Sequence, residues 1–316
     1  MTKHDDNIEL SYQMQLENYE KKDEETARLM ETWFEEDTVD YWRHFRMVEP
    51  LKPLIDRYKN TKWVTIGDGR FGLDSIRLKK IQPALDVLPT DISPSLLQEA
   101  KEKKIISDYK AENAEHLSFA DNSFDFSFCK EAFHHFPRPY IALYEMLRVS
   151  RLGVIFIEPN ERKDKKIPDR IFNVVKRAMK RIIGKPVLHP ETWNFEVSGN
   201  YIYTLSKNEM EKVGLGLQLP AVAFHFYNDY YEQGVEYQKA TPGNELFEKV
   251  KKMIANEDLK CRLGLQTYQG IIAILFKVAP DAELRRGLME TGFQIVNLPE
   301  NPYQKKRKEE TAKHIS

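Results

Sequence analysis

The run Trp63-Val64-Thr65-Ile66-Gly67-Asp68-Gly69-Arg70-Phe71-Gly72 constrains the fold more than any other stretch of the chain. An apolar, β-branched segment stops at a Gly-x-Gly-x-x-Gly turn, and a helix-like segment, Leu73 to Lys80, follows. Glycine at 67 and 69 lets the backbone turn sharply and approach a ligand closely, because no Cβ stands in the way. A strand, a turn and a helix in that order set a ligand at the carboxyl end of a parallel strand, over free helix N–H groups. The same letters serve dinucleotide enzymes, so the neighbouring segments decide how the turn is used.

Those neighbours alternate between strand and helix patterns. Ala84–Thr90 reads as a second strand ending at Asp91, and its Pro89, which has no N–H for a ladder, marks a strand end or a local gap in pairing. Ser93-Pro94 opens a helix running to Lys103. Tyr109–Glu112 is a short third strand, Phe124–Cys129 a fourth, Pro139–Val149 a helix, and Gly153–Ile157 a buried strand that ends at Glu158-Pro159-Asn160. Ser206 caps a helix to Val213, with Glu209 three residues on, and Leu217–Phe226 and Gly270–Val278 read as the last two strands.

The flanks follow other patterns. Residues 1–59 read as a helical extension, with Leu10, Met14, Leu16, Leu29, Met30, Trp33 and Phe34 as buried positions of a first stretch. A second helical stretch, Thr38 to Tyr58, is broken at Pro50 and Pro53. It either packs on the sheet or forms a lid that brings Trp42, Arg43, His44 or Arg46 to a substrate. Residues 60–279 form the central domain, with insertions 161–200 and 228–268 as a cap, and 280–316 is a C-terminal extension with a disordered tail. The second insertion and the strand before it hold an aromatic group, Tyr227, Tyr230, Tyr231 and Tyr237, suited to stacking on sugar faces.

The net charge of −1 gives no bulk attraction to nucleic acid. Charge is unevenly placed: residues 161–185 carry 10 Lys/Arg against 3 acids. Within that block, 167–183 sets apolar residues at helical spacing between lysines and arginines, as a lid over an acceptor or as a helix lying peripherally on an anionic membrane. Two cysteines are too few for a disulfide framework or a cysteine-based zinc site. The polar start and the lack of an 18-residue apolar run point to a cytoplasmic protein.

Four features fall at the carboxyl ends of successive strands: the turn 67–72, Asp91, Asn113-Ala114-Glu115 and Lys130-Glu131. In an open parallel sheet those ends converge on one crevice. Asp91, 24 residues beyond Gly67, is placed to accept hydrogen bonds from ribose hydroxyls, and Asn113 to pair with an adenine edge.

Taken in order, the motifs resemble those of class I S-adenosylmethionine-dependent methyltransferases, in the branch typified by quinone and small-molecule enzymes. They are Gly67-Asp68-Gly69, Asp91-Ile92-Ser93-Pro94, Asn113 to Phe119, Asp121 to Asp125, Glu131 to Phe136 and Gly153 to Pro159. The resemblance implies an α/β, Rossmann-like, seven-stranded sheet with helices on both faces. It implies S-adenosylmethionine as cofactor, bound through Gly67, Asp68, Gly69, Asp91, Ile92, Asn113, Ala114, Lys130 and Glu131. Methyl transfer to an oxygen of a small-molecule, glycan or lipid-linked acceptor needs a base, and His134, His135 and Glu158 are the candidates. His225, Tyr227 and Asp229, at the end of the sixth strand, either line the acceptor pocket or serve the structure, the second being the expected role of each.

Two positions depart from the family pattern. Thr65 stands where an acid is usual, so Asp68 is expected to supply the carboxylate, and the third glycine comes one residue late, after Arg70-Phe71. A non-catalytic S-adenosylmethionine-binding or scaffold protein is therefore the alternative. A nicotinamide oxidoreductase fits less well, because Asp68 inside the turn would repel a pyrophosphate.

Overall fold

The computed structural model describes residues 3–20, 29–161, 195–196, 199–304 and 307. The stretch 167–183 and most of the insertion around it lie outside the described residues.

Eight strands form one sheet: β1 (Lys62–Ile66), β2 (Asp86–Asp91), β3 (Lys110–Ala111), β4 (Phe124–Lys130), β5 (Ser150–Pro159), β6 (Ala221–Tyr227), β7 (Gly270–Phe276) and β8 (Gln294–Asn297). Their order is β3-β2-β1-β4-β5-β7-β6-β8. The first five are parallel, with Ile66 opposite Thr90 on one side and Cys129 on the other, while β7 runs antiparallel between β5 and β6. The strand order reverses between β1 and β4, and a crevice opens at such a point above the carboxyl ends. β2 continues through Pro89, because its pairing with β3 begins only at Thr90 and no ladder partner is missed on that side.

Side chains of a strand alternate between faces, and each face of this sheet has its own core. Val64, Ile66, Phe156 and Ala273 pack with Leu143 and Met146 of α6 (Pro139–Val149) and Met210 of α7 (Lys207–Gly216). On the other face Trp63, Phe126, Phe128 and Ile155 pack against the N-terminal helices α2 (Val39–Val48) and α3 (Lys52–Arg57), joined by a short 3-10 turn, Glu49–Leu51. Pro50 and Pro53 break these helices as expected. Leu78 of α4 (Leu73–Ile81) joins the same core, and α5 (Ser95–Glu102) packs beside β2.

Two expectations need correction. The sheet has eight strands where seven were expected, and residues 280–316 are not a mere extension. α9 (Ala282–Glu290) buries Leu284 and Leu288 in the core against α3, and β8 pairs antiparallel with β6. The four residues of β8 are half-buried or exposed and show no alternation strong enough to mark a strand.

Part of the insertion 228–268 buttresses α2 rather than spanning the crevice. Val39 and Asp40 donate backbone N–H groups to the carbonyls of Gln238 and Val235. Trp42 meets Phe247 of α8 (Glu245–Arg262) edge to face, with centroids 4.9 Å apart. Arg43 pairs with Asp229 and Asp40. The first described helix, α1 (Lys3–Glu20), lies apart from both cores and crosses the crevice.

Candidate active site

The glycine turn is held from within by Asp68. Its carboxylate accepts from Thr65 Oγ1 at 2.9 Å, Ser75 Oγ at 2.8 Å and the N–H groups of Asp74 and Ser75, both at 3.0 Å. The group is 3% exposed, and burial followed by the neighbouring Asp74 lifts its carboxyl to about 7. Thr65, at the position where an acid was expected, thus touches the carboxylate three residues on. Asp68 borders a cavity beside Gly67, yet its oxygens are committed to the turn and to the first N–H groups of α4.

The late third glycine has an equally local cause. Phe71 adopts a left-handed backbone, φ 57°, and turns into a satellite core with Leu96 and Ala100, while Phe34 packs 5.2 Å from its ring. Arg70 lies over the Trp33 ring at 5.2 Å. The added residue ties the turn to the N-terminal segment and α5.

Gly69 lies against Asp91. A Cβ built on Gly69 would come within 2.7 Å of the Asp91 carboxylate, which itself accepts from Ser93 N–H at 2.8 Å and faces the N–H groups of Gly69 and Ile92. Burial raises this carboxyl to about 6 despite those donors. Ile92, Asn113 and Ala114 line the same small cavity, of about 30 Å³, together with Tyr12 and Gln15 of α1. Asn113 Oδ1 accepts from Glu115 N–H at 2.9 Å, and the Tyr12 hydroxyl stands 3.5 Å away. Glu115 itself pairs with Arg138 at 2.6 Å and so serves the loop before α6.

On the other side of Gly67 opens a cavity of about 300 Å³, lined by Asp40, His44, Arg70, Asp74, Arg77, Lys130, Glu131, His134 and His135. Trp33, Leu73 and Pro159 are its apolar members. Lys130 is 6% exposed and bonds Glu131, with His44 Nδ1 at 3.1 Å and Asp74 at 4.0 Å. Desolvation opposes ionisation of Glu131, but Lys130 and His44 hold it well below the usual carboxylate range. Burial, then Lys130, pushes His44 down. Glu131 also has a left-handed backbone, φ 50°, which turns the chain sharply at the end of β4.

The chain then enters a short turn, Phe133–His135, held by Glu158. Glu158 is completely buried at the end of β5; one oxygen accepts from the N–H groups of Ala132 at 3.0 Å and Phe133 at 2.9 Å, and the other lies 2.6 Å from His134 Nδ1. Burial works to lower the His134 pKa, but the Glu158 carboxylate outweighs it and carries the imidazole above its ordinary value. His135 is pushed down by burial and by His134. Its Nδ1 meets Glu196 at 2.8 Å. His134, His135 and Glu196 bring ligand atoms within 4.8 Å of one another, and both Nδ1 atoms are hydrogen-bonded to carboxylates.

The structure therefore brings the expected residues to two adjoining cavities that share Gly67, with Glu158 beneath them rather than exposed to them. Sequence reasoning missed Asp74, Arg77, Tyr12 and Gln15, since a helix's charged or polar inward residues resemble its solvent face. His44 was one of four lid candidates; Trp42, Arg43 and Arg46 are occupied elsewhere. None of Tyr227, Tyr230, Tyr231 or Tyr237 lines either cavity. Tyr227 covers Gly270, Asp229 pairs with Arg43 and His225 packs on Phe293.

Residues 65–157 match the family model described as "Methyltransferase domain". Similar solved structures include a SAM-dependent methyltransferase from Methanosarcina mazei, with TM-score 0.42 and 17% identity over 72% of this chain and 98% of that one. Others are the YcgJ protein of Bacillus subtilis, with TM-score 0.43 and 18% identity over 73% and 99%, and a SAM-dependent methyltransferase of Aquifex aeolicus, with TM-score 0.32 and 17% identity over 44% and 85%. No curated protein matches the chain. The family match covers the glycine turn, Asp91, Asn113 and the histidine turn, so the chain carries a methyltransferase domain over residues 65–157, with S-adenosylmethionine as its cofactor.

Proposed function

We propose that the enzyme methylates an oxygen of a small, hydrophilic acceptor, a free or glycan-borne hydroxyl, with His134 as the base. The pairing of His134 with a fully buried Glu158 at the edge of a cavity lined by charged side chains carries this reading. Such a lining suits a polar acceptor better than the quinone-like or lipid-linked one the resemblance allows.

The cofactor's parts have matching surroundings. Asp91 with Ile92 suits the ribose, Asn113 with Ala114 the adenine, and the close packing of Gly69 on Asp91 leaves no room for a side chain between turn and sugar. The amino-acid end is a zwitterion, and Lys130, Arg77, Glu131 and Asp74 offer both signs beside Gly67. Asp68 supports the turn. When bound, S-adenosylmethionine supplies an activated methyl group. His134 would take the acceptor hydroxyl's proton, leaving the oxygen to receive the methyl group that S-adenosylmethionine would supply as it leaves as S-adenosylhomocysteine. Glu158 fixes the imidazole through Nδ1, so Nε2 is the atom that takes the proton.

Labelled S-adenosylmethionine and a panel of sugars, glycans, phenols and quinone analogues test this. Turnover is expected on hydroxylated polar compounds, with His134→Ala lowering kcat by about 10²–10⁴-fold and leaving S-adenosylhomocysteine affinity intact. Turnover of quinone analogues alone, or full activity of His134→Ala, overturns it. Cofactor binding with no turnover on any acceptor would favour the non-catalytic alternative.

A further inference from the structure

α1 is a helix with the wrong residues buried. Spacing by helical turns puts Ser11, Tyr12 and Gln15 on one face, and that face points inward: Ser11 is 6% and Gln15 8% exposed. The apolar residues expected to anchor the helix do not. Leu10 is 52% exposed, Met14 and Leu16 are only half-buried, and none of α1's described apolar side chains is fully buried. Hydrophobic burial therefore does little to hold this helix in place.

Polar contacts with the active-site crevice hold it instead. The Tyr12 hydroxyl stands at Asn113 Oδ1, and one turn on Gln15 Nε2 donates to the carbonyl of His135 at 2.5 Å. The same carbonyl accepts from Asn200 Nδ2 at 2.7 Å. Ser11 Oγ is buried with no hydrogen-bond partner. With the helix in this position the cavity at Asp91 and Asn113 measures about 30 Å³. Since about 10–15 Å³ of such volume holds one water molecule, the helix leaves little free space at this end of the crevice.

Building on the cofactor reading above, we propose that α1 is a gate on the adenosine end of the crevice. It lifts to admit S-adenosylmethionine or release S-adenosylhomocysteine, and it closes with Tyr12 and Gln15 over the bound nucleoside. Closure also fixes the histidine turn, because Gln15 holds the His135 carbonyl next to His134. A weakly anchored element of this kind opens at low cost, as exchange of its amide hydrogens reports.

Hydrogen exchange on the full chain tests the gate, with S-adenosylhomocysteine as probe. Amides of residues 7–17 are expected to exchange readily in the free protein and about tenfold or more slowly at saturation. The Tyr12→Ala/Gln15→Ala variant is expected to release S-adenosylhomocysteine about tenfold faster in stopped-flow, a loss of one order in affinity. If the ligand binds and exchange in α1 does not change, the helix is only packed there and the proposal fails; that result does not depend on the variant folding. If calorimetry detects no binding, the cofactor reading fails and the gate with it.

Discussion

Asp91 is buried beside the N–H groups of Gly69, Ile92 and Ser93, and loss of solvent raises its carboxyl to about 6. Ribose hydroxyls donate to the ionised form, so cofactor binding favours loss of the proton. Affinity for S-adenosylhomocysteine is therefore expected to be steady above about pH 7 and to weaken as pH falls through 6. Calorimetry across that range checks it, and a flat profile from about pH 5 to 7.5 would contradict the assignment. Gly69→Ala places a methyl 2.7 Å from the same carboxylate and is expected to abolish binding while far-ultraviolet circular dichroism stays native. Asp68 has a different task. Asp68→Ala removes the acceptor shared by four donors, Thr65 Oγ1, Ser75 Oγ and two N–H groups, of which the two hydroxyls, 2.8 Å apart, can still pair with each other. With each buried unpaired donor costing about 1–3 kcal/mol and water meeting some of them, a loss of about 2–3 kcal/mol is expected in urea titration. The motif letters made Asp68 a ligand residue; only the fold reveals that its oxygens face the helix behind the turn.

At the scale of elements, strands and helices of the central domain were legible because burial on both sheet faces writes apolar runs and helical periods into the sequence. Ser206 capping α7 was readable for the same reason, since its side chain does accept from Glu209 N–H. Elements whose role departs from apolar burial were not. α1 presents polar residues inward, and β8 is short and half-exposed. α9 shows how much the C-terminal segment contributes: Leu288 is fully buried in the core it shares with α3, so Leu288→Ala is expected to cost about 2–5 kcal/mol in the same titration. The buttress between α2 and α8 rests on Trp42 and Phe247. A double-mutant cycle to alanine is expected to return a coupling of about 0.5–1.5 kcal/mol, with no coupling if the contact is incidental.

Over the whole molecule, the reversal of strand order between β1 and β4 explains why motifs 60 or more residues apart converge. The turn after β1, Asp91 after β2 and the histidine turn after β4 meet above one sheet edge, with Glu158 of β5 beneath them. α2, held by the second insertion, and α1 complete the walls from the N-terminal side. The larger cavity is the part least written in the sequence, because its charged lining is gathered from α2, α4 and the end of β4 and no single segment carries it. The account depends on the crevice beside Gly67 being an S-adenosylmethionine site. Titration calorimetry of the full chain and of Asp91→Ala with S-adenosylhomocysteine tests this most directly. One-to-one binding by the parent, weakened about tenfold or more in the variant, is the predicted result. No binding by the parent, or equal affinity in both proteins, would contradict it.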